Sequence, residues 1–294
     1  MEDYLLRALA WEGKVRVYAV QTTAVVELLR QKHQASPIAI AALGRTISVA
    51  LMIGAMLKGE ERVTLQVKGN GPLGQIFVDA NALGEVRGYV DNPTIELPLN
   101  RKGKLDVAAA VGTEGFIYVI KDLGMKEPYR GSTPIISGEL GDDFTYYFAK
   151  SEQTPSAVAL GVLVNIDETV RASGGFIIQL LPGLTDLEIT EIETQLSQLK
   201  PISTLLDEGM NLEQILTSIV GPVHILDQLP VAFRCRCSQK RVEQTLISLG
   251  TSELSAILQE DGEAEVVCHF CNEAYVFKEN DLKELMESIQ ARGE

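Results

Sequence analysis

Four cysteines in the last quarter of the chain form the clearest candidate for a chemical site. They are the only cysteines among 294 residues, and they occur as two close pairs, Cys235 with Cys237 and Cys268 with Cys271. Tetrahedral Zn²⁺ takes four sulfur ligands, and a short loop can present two of them at a time. The spacing therefore predicts a tetrathiolate zinc site made by two chain segments.

Two other interpretations of the cysteines are open. As buried small hydrophobic residues they would need no metal, but this leaves the complete pairing of all four unexplained. Structural disulfides need an oxidising compartment, whereas the segment Met1–Arg7 carries two acidic residues and no long apolar run follows it, so we see no secretory signal. The cytoplasm, where thiols stay reduced, is the expected location.

The same sulfurs are suited to redox chemistry. Zinc-bound thiolates are already deprotonated, so an oxidant such as peroxide can attack them. Residues two apart in an extended chain are separated by about 6.6 Å between Cα atoms, so a disulfide within each pair is possible after slight folding. Oxidation of both pairs would expel the metal and remove the interaction that folds the surrounding module.

Other side chains give weaker signals. A basic cluster beside the first pair is expected to favour thiolate, unless it is only a solvated face; it consists of Arg234, Arg236, Lys240 and Arg241. The histidines His33, His224 and His269 lie far apart in the sequence, and we find neither a serine elbow nor a paired-carboxylate motif. We therefore expect no enzyme.

Charge and hydropathy narrow the function classes. The net charge is −14, from 26 basic and 40 acidic residues, which argues against a nucleic acid backbone as the principal partner. The stretch Pro37–Leu57 is apolar enough to raise the question of a membrane span, but it contains Arg45 and barely reaches the necessary length. We predict a buried helix there and no membrane partner.

Residues 1–183 are expected to form a mixed α/β core domain with an antiparallel sheet, within an α+β fold. The predicted helices are Thr22–Lys32 and Pro37–Leu57, the second one capped by Ser36. The predicted strands are Val15–Val20, Arg62–Lys68, Gly74–Asp79, Glu85–Val90, Gly115–Lys121 and the buried strand in Gly174–Gly183. Asp142–Lys150 is expected to be a strand or a helix end, and Ser151–Ser156 to open a helix with Ala157–Val164 as its apolar body.

A glycine motif leads into the third of the predicted strands, Gly74–Asp79. Residues 69–74 read Gly-Asn-Gly-Pro-Leu-Gly, which matches the G-x-G-x-x-G spacing of dinucleotide-binding loops. Such a loop must open a helix, but Gln75-Ile76-Phe77-Val78 has the composition of a strand. We therefore predict a hairpin turn without a nucleotide.

Residues 184–230 are expected to be an acidic helical linker. The segment has eight acidic residues and Lys200 as its single basic residue. Apolar residues recur at helical spacing from Ile189 to Leu199, and Asn211 with Gln214 forms a capping box before a second helix that ends at Gly221. Such helices must dock on another surface. Either the docking is marginal, because of the crowded charge, or the helices are an ordinary appendage of the first domain.

Residues 231–294 are expected to be a small zinc-binding redox-switch domain. About sixty residues give marginal stability from a hydrophobic core alone. A structural zinc ion adds on the order of 10–16 kcal/mol of folding free energy in small modules. Val266-Val267 and Tyr275-Val276-Phe277 flank the second cysteine pair as the strands of a zinc-ribbon hairpin would, and Asp281–Ile289 has the pattern of a final amphipathic helix.

Several of these motifs occur together in one known family. Five segments follow along the chain in the order seen there: the glycine motif, Ser151–Ser156, Gly174-Gly175-Phe176, Arg234–Ser238 and the second cysteine pair. On these motifs the whole chain resembles the 33 kDa chaperonin, or heat-shock protein 33, family. The four cysteine positions show no departure from the family pattern.

The resemblance implies a cytoplasmic, ATP-independent holdase that is inactive when reduced. Cys235, Cys237, Cys268 and Cys271 would bind Zn²⁺, and oxidation would pair Cys235 with Cys237 and Cys268 with Cys271. The acidic segment would match the family's linker, which loses structure on activation and exposes surface for unfolded client proteins. The active form would be a homodimer that protects against oxidative stress and heat aggregation. Two alternatives stay open: a zinc ribbon that binds nucleic acid, and a thiol oxidoreductase that uses Cys268 and Cys271.

Overall fold

The computed structural model describes residues 2–292, and the chain forms two compact units that meet in sequence between Arg234 and Cys235. The first unit contains two antiparallel-dominated sheets and seven α-helices, and the second contains one hairpin and three α-helices among the described residues. This arrangement confirms the α+β class. The further division of the first 230 residues into a core domain (residues 1–183) and a linker (residues 184–230) stays a prediction.

The strands of the first unit form two sheets. The five-stranded sheet has the order β10-β1-β2-β9-β8 and is antiparallel throughout; its strands are β1 (Tyr4–Ala10), β2 (Val15–Gln21), β8 (Ser156–Val164), β9 (Val170–Leu180) and β10 (His224–Pro230). The six-stranded sheet has the order β11-β5-β4-β3-β6-β7; its strands are β3 (Arg62–Gly69), β4 (Gln75–Asn81), β5 (Glu85–Val90), β6 (Gly115–Asp122), β7 (Tyr129–Pro134) and β11 (Ala232–Phe233). Only β11 runs parallel to its neighbour.

Helix α2 (Pro37–Gly54) lies between the two sheets and packs against strands of both. Every residue of this helix is buried except Pro37 and Arg45. It begins where the Ser36 hydroxyl accepts a hydrogen bond from the Ala39 N–H, as the capping pattern predicts. By length and composition it is the one helix in residues 2–292 that could cross a membrane, but 89% of it is buried inside the protein. The predicted buried helix is confirmed.

The glycine motif is a hairpin turn between β3 and β4, as predicted. Helix α3 (Val107–Val111) packs against it, and the Gly71 N–H donates a hydrogen bond to the Val111 carbonyl at 3.0 Å. A Cβ atom at Gly71 would lie 2.2 Å from the Ala110 carbonyl oxygen. The glycine therefore serves close backbone packing, and no helix opens after the motif to receive a phosphate.

The prediction for residues 142–164 was wrong in part. Residues Leu140–Lys150 form helix α4, which agrees with the helical one of the two options for Asp142–Lys150, while Ser156–Val164 is strand β8 and not the body of a helix. The apolar run of β8 lacks a helical period, and its pairing with β9 along nine residues decides its conformation. The turn before it, with Gln153 at φ +53°, ends helix α4 and leads into that strand.

The acidic segment forms three helices and a strand. The helices are α5 (Asp186–Gln198), α6 (Ile202–Asp207) and α7 (Leu212–Val220), and the predicted capping box of Asn211 and Gln214 is present. Residues 224–230 were expected to belong to the helical linker, but they form β10, because they complete the edge of the five-stranded sheet beside β1. The three helices cover the outer face of β1, β2 and β9.

The helices of the acidic segment are buried unequally. Five of the nine residues of α7 are buried, whereas Ile192 is the single buried residue of α5. An ion pair at 3.8 Å joins Lys14 to Glu188 at the start of α5. Trp11, in the turn after β1, borders an open cavity of about 460 Å³ whose other walls belong to α5, α7 and the turn after α7. The segment is thus attached firmly at α7 and thinly at α5.

The remaining helix of the first unit and the elements of the second complete the fold. Helix α1 (Thr23–His33) follows β2 directly. The second unit contains α8 (Gln239–Leu249), α9 (Thr251–Glu260), the antiparallel strands β12 (Glu263–Val267) and β13 (Ala274–Lys278), and α10 (Glu279–Arg292). The predicted hairpin and final helix are confirmed, whereas α8 and α9 had no predicted counterpart.

Candidate metal centre

Two loops present the four cysteines. Cys235 and Cys237 lie in the extended segment that leads to α8, whose first turn is capped by the Ser238 hydroxyl. Cys268 and Cys271 lie in the turn between β12 and β13. That turn is closed by two backbone hydrogen bonds, from the Cys268 N–H to the Glu273 carbonyl at 2.9 Å and from the Asn272 N–H to the Cys268 carbonyl at 2.8 Å. Asn272 adopts the left-handed conformation at φ +57°, which asparagine tolerates well.

The four sulfur atoms converge on one point. All of them lie within 4.8 Å of one another, and all four cysteines are free thiols. Zinc–sulfur bonds of about 2.3 Å in a tetrahedron place neighbouring sulfurs about 3.8 Å apart. The Cys235–Cys268 sulfur distance is 3.7 Å and the Cys237–Cys271 distance is 3.3 Å. The donor set and its spacing therefore fit a tetrahedral, thiolate-preferring ion such as Zn²⁺.

The sulfur distances do not select a disulfide pairing. The two short contacts join one cysteine of each loop, whereas the pairs implied by the family resemblance are neighbours in sequence. A tetrahedral metal site holds all four sulfurs within a few ångströms of one another, so a short sulfur–sulfur distance in such a cluster does not identify the pair that would form a disulfide. The predicted pairs, Cys235 with Cys237 and Cys268 with Cys271, stay a prediction.

The surroundings shift the pKa values of the cysteine thiols in different directions. Burial raises the pKa of Cys235 and of Cys271, and this effect outweighs the backbone hydrogen bond that each sulfur accepts. Burial also opposes ionisation of Cys237, but hydrogen bonds from Tyr275 and from the other thiols outweigh it and lower the pKa of Cys237 to about 7. Cys237 therefore ionises more readily than Cys235 or Cys271. A divalent cation would favour the ionised form of the two thiols whose pKa is raised, Cys235 and Cys271.

Tyr275 is the site residue that the sequence prediction missed. Its hydroxyl donates a hydrogen bond to the Cys237 sulfur at 3.2 Å, and the pKa of Tyr275 is raised by this bond. The only available signal was strand alternation, which places Tyr275 on the same face of β13 as the buried Phe277. The prediction assigned Tyr275 to the hairpin but gave its hydroxyl no role.

The other candidate residues of the sequence prediction lie away from this arrangement or have local partners. Arg241 donates a hydrogen bond to the Arg236 carbonyl at 2.7 Å, and Arg234 belongs to the first unit, 3.9 Å from Glu85. His33 ends α1, His224 begins β10, and His269 lies between Cys268 and Cys271. That the basic residues favour thiolate stays a prediction. The C-x-x-C segment occupies a hairpin turn and not the helix start expected of a thiol oxidoreductase.

Comparison with known proteins decides the family. A family model described as "Hsp33 protein" matches residues 3–278. The chain belongs to the heat-shock protein 33 family. Among curated members of the family, it is 53% identical to the 33 kDa chaperonin of Geobacillus kaustophilus, over 97% of this chain and 98% of that protein. It is 51% identical to the 33 kDa chaperonin of Bacillus cereus strain B4264, over 98% of this chain and the whole of that protein.

A solved structure of the family agrees with the fold. The 33 kDa chaperonin (heat shock protein 33 homolog) of Thermotoga maritima superposes with a TM-score of 0.93 at 36% sequence identity, covering 99% of this chain and all of that one. Membership of the heat-shock protein 33 family makes the chain a chaperone and not an enzyme. The four clustered cysteines of this family member could hold a metal ion, and their sulfur chemistry is compatible with zinc.

Proposed function

We propose that the chain is a redox-switched, ATP-independent holdase whose resting state is held by Zn²⁺ on Cys235, Cys237, Cys268 and Cys271. The observation that carries the proposal is the convergence of four free cysteine sulfurs within 4.8 Å inside a compact unit of their own. The same unit has a thin hydrophobic core, with six buried apolar side chains apart from Cys271 among its described residues. Metal binding would therefore supply most of its stability.

Oxidation would convert the metal site into two disulfides. The four thiolates give up four electrons to two molecules of hydrogen peroxide, which take up four protons and leave as four molecules of water. The products are the disulfides Cys235–Cys237 and Cys268–Cys271, which no longer bind Zn²⁺. Loss of the ion removes the main interaction that folds residues 235–292, so a local redox event becomes an unfolding event.

The client-binding surface would come from the first unit. Helices α5 to α7 cover an apolar sheet face, and release of these helices would expose the residues beneath, which are Leu6, Ala8, Val15, Val17, Phe176 and Ile178. A contiguous apolar face of this kind binds unfolded polypeptides without regard to their sequence. Two such faces in a homodimer would increase avidity for a long client. We place this activity in the cytoplasm, where the reduced, zinc-bound form is the stable one.

Paired measurements on one preparation test the proposal. Zinc and free thiols are counted in the reduced protein and after treatment with hydrogen peroxide at mildly elevated temperature. The same samples are then added to citrate synthase as it unfolds at high temperature, and aggregation is followed by light scattering. We expect release of zinc, loss of four thiols and suppression of aggregation together. Oxidised protein that keeps its zinc and leaves aggregation unchanged would refute the switch.

The same samples discriminate the two alternative functions. A zinc ribbon that binds nucleic acid would show binding to single-stranded RNA or duplex DNA that weakens steeply with salt. A thiol oxidoreductase would turn over a disulfide substrate catalytically. We expect neither. Peptide mapping of the oxidised protein identifies which cysteines are joined, and a cross-loop disulfide such as Cys237–Cys271 would correct the proposed pairing.

A further inference from the structure

A cavity of about 610 Å³ in the first unit has no role in the proposed switch. Four parts of the chain form its walls: the first half of α2, the loop at residues 99–105, the end of β8 with the turn after it, and the start of α6. Sites for small molecules usually have volumes of about 300–1,000 Å³. The cavity is therefore large enough to hold a small molecule.

The walls of this cavity are mainly aliphatic. Leu105, Leu160 and Leu163 line it, and no aromatic side chain does so among the residues described. Leu99 and Ile166 also line it, and more than half of each of these two residues is exposed to solvent. Apolar surface thus continues from the cavity to its mouth. An aliphatic lining of this kind fits a linear alkyl chain.

The charged side chains that line the cavity are both basic. They are Arg45 and Lys104, and none of the described residues in the walls is acidic. The chain as a whole carries a net charge of −14, so the cavity differs in charge from most of the protein. Two cations without a neighbouring acid in the same walls favour an anionic group on the ligand.

Arg45 can accept one more partner. Its Nη1 donates to Glu139 Oε2 at 2.6 Å, but its Nε–H is buried and has no hydrogen-bond partner within residues 2–292. A carboxylate is a strong acceptor for such a donor. Arg45 also lines a neighbouring cavity of about 680 Å³, but Glu139 and Asp142 line that one too, and their charges would repel an anion.

The cavity joins the core to the acidic segment. Pro201, Ser203 and Thr204 in its wall belong to the start of α6 or precede it directly. Helix α6 packs so closely on β8 that a Cβ atom at Gly161 would lie 2.9 Å from the Ser203 Oγ. Release of α6 would remove this wall. A ligand that contacts the wall therefore binds the docked state and stabilises it.

We propose that this cavity binds a medium-chain fatty acid, with its carboxylate on Arg45 and Lys104 and its alkyl chain along the aliphatic walls. The bound acid holds α6 against β8. Binding does not depend on the cysteines. Its regulatory consequence rests on the proposed function, because the acid would delay exposure of the sheet face only if α6 is released after oxidation.

Calorimetric titration of the reduced, full-length protein with sodium decanoate tests the binding. We expect one site per chain and a dissociation constant on the order of 10 µM, which is ordinary for a ligand of about twelve non-hydrogen atoms. Decyltrimethylammonium, which has the same alkyl chain and a positive charge, should bind at least about tenfold more weakly. Equal binding of the two compounds would overturn the assignment of the carboxylate to Arg45 and Lys104.

A pair of lysine variants locates the carboxylate. Lys104 is exposed, so Lys104→Gln should leave the fold intact and weaken binding of decanoate about five- to tenfold. Lys102→Gln is the matched control, because Lys102 is exposed in the same loop but does not line this cavity. It should bind decanoate like wild-type protein. Equal affinities of the two variants would contradict the proposed site.

A conservative variant of Arg45 tests the unpaired donor. Arg45→Lys keeps the positive charge but removes the Nε–H, so binding of decanoate should weaken about tenfold. Thermal unfolding of the variant is measured alongside, to show that the helix is still folded. Wild-type affinity in both Arg45→Lys and Lys104→Gln would overturn the inference.

Hydrogen exchange tests whether the ligand holds α6. At a free decanoate concentration of ten times the dissociation constant, the docked state should gain about tenfold in population over the released one. Exchange in residues 202–207 should slow by that factor, whereas exchange in β12 and β13 of the second unit should not change. Binding without any change in residues 202–207 would refute the stabilisation of α6.

Failure of the inference is distinguishable from failure of the proposed function. Protein that binds decanoate but keeps its zinc in peroxide would refute the switch and leave the fatty-acid site standing. Protein that releases zinc and suppresses aggregation after oxidation, but shows no heat of binding and no change in exchange with decanoate, would overturn the inference alone.

Discussion

The two units of the molecule differ in the interactions that stabilise each of them internally. The first unit has two large apolar clusters, one around α2 between the sheets and one beneath the helices of the acidic segment. The second has a single small cluster around Leu254 and Phe277, and its four cysteine sulfurs meet beside it. Hydrophobic burial scales with area and is spread over many side chains, whereas a metal site concentrates stability in four atoms. If the cysteines bind zinc as proposed, one chemical event would therefore unfold the second unit but not the first.

The same contrast recurs inside the first unit. Helix α2 is buried along nearly its whole length, while α5 contributes Ile192 alone to a buried position. Within the acidic segment, α5 therefore has the least buried surface to lose on release, and α7 is the principal attachment. The proposed switch would need an element of this kind, one that is folded in the reduced protein but separable from the core at limited cost in free energy.

The largest expected effect is metal removal. A strong zinc chelator, or the variant Cys271→Ser, should abolish the protection of residues 235–292 from hydrogen exchange, since structural zinc contributes on the order of 10–16 kcal/mol to small modules. Protection of α2 and of the strands around it should persist. A second unit that stays fully protected without zinc would show that its small core suffices and would remove the contrast.

A core truncation in α7 tests how firmly the acidic segment is attached. Leu216 is completely buried against the outer sheet face, so Leu216→Ala should lower the free energy of unfolding by about 2–5 kcal/mol. Hydrogen exchange in residues 186–220 should rise more than exchange in α2. The exposed Glu213→Ala on the same helix is the matched control and should change little. Equal loss of protection in both regions would mean that the segment is an inseparable part of the core.

A glycine substitution tests close packing in the first unit. In Gly71→Ala the new Cβ would lie 2.2 Å from the Ala110 carbonyl oxygen, so the variant should lose about 1–3 kcal/mol in a denaturant titration. Gly13→Ala provides the comparison, because φ is +87° there but no atom lies within 4 Å of the added Cβ. A neutral Gly71→Ala would mean that the motif is retained for some other reason, and binding of a dinucleotide would have to be measured.

The smallest effect concerns one carboxylate of the first unit. Hydrogen bonds from Arg30 lower the pKa of Glu27 to about 2, against the opposing effect of burial; the Val170 N–H also donates to it at 2.9 Å. A depressed pKa stabilises the folded state above the ordinary value of about 4.5, and this stability is lost as the pH falls towards 2. Glu27→Gln should lower the free energy of unfolding by about 1–2 kcal/mol at pH 7.

The pH dependence of the stability difference tests whether the charge of Glu27 is its cause. The difference between wild-type protein and Glu27→Gln in urea titrations should narrow as the pH falls below about 4.5. The exposed Glu60→Gln serves as a control and should track wild-type protein at every pH. A difference that is constant from pH 7 to pH 3 would show that the carboxylate charge is not what holds α1 to the start of β9.

Local patterns predicted the elements whose signals are local. Ser36 with Pro37 marked the start of α2, Asn211 with Gln214 marked α7, and the cysteine spacing marked the cluster. The errors arose where distant pairing decides the conformation. Strand β10 pairs with β1 across more than two hundred residues, and β8 becomes a strand because β9 lies beside it. A short apolar run carries no period that separates a buried strand from a buried helix.

The residues of the site also divide into those set by local sequence and those set by strand pairing. Metal coordination restricts the residue types and the spacing of the ligands, and both can be read from the sequence. The four cysteines were therefore predicted together. Tyr275 was missed because its role depends on where the hairpin register directs one hydroxyl, and register is a property of the pairing of β12 and β13. Helices α8 and α9, in the thirty residues between the cysteine pairs, had no predicted counterpart.

The position of Trp11 has a practical consequence. It is the only tryptophan in the chain, it sits beside α5 and α7, and its indole N–H is buried without a hydrogen-bond partner in the described structure. Indole emission moves to longer wavelength when water reaches the ring, so departure of these helices would be visible as a red shift in intrinsic fluorescence. The molecule therefore carries its own optical reporter of linker release, and the timing of that release relative to zinc loss can be measured in a stopped-flow fluorimeter on unlabelled protein.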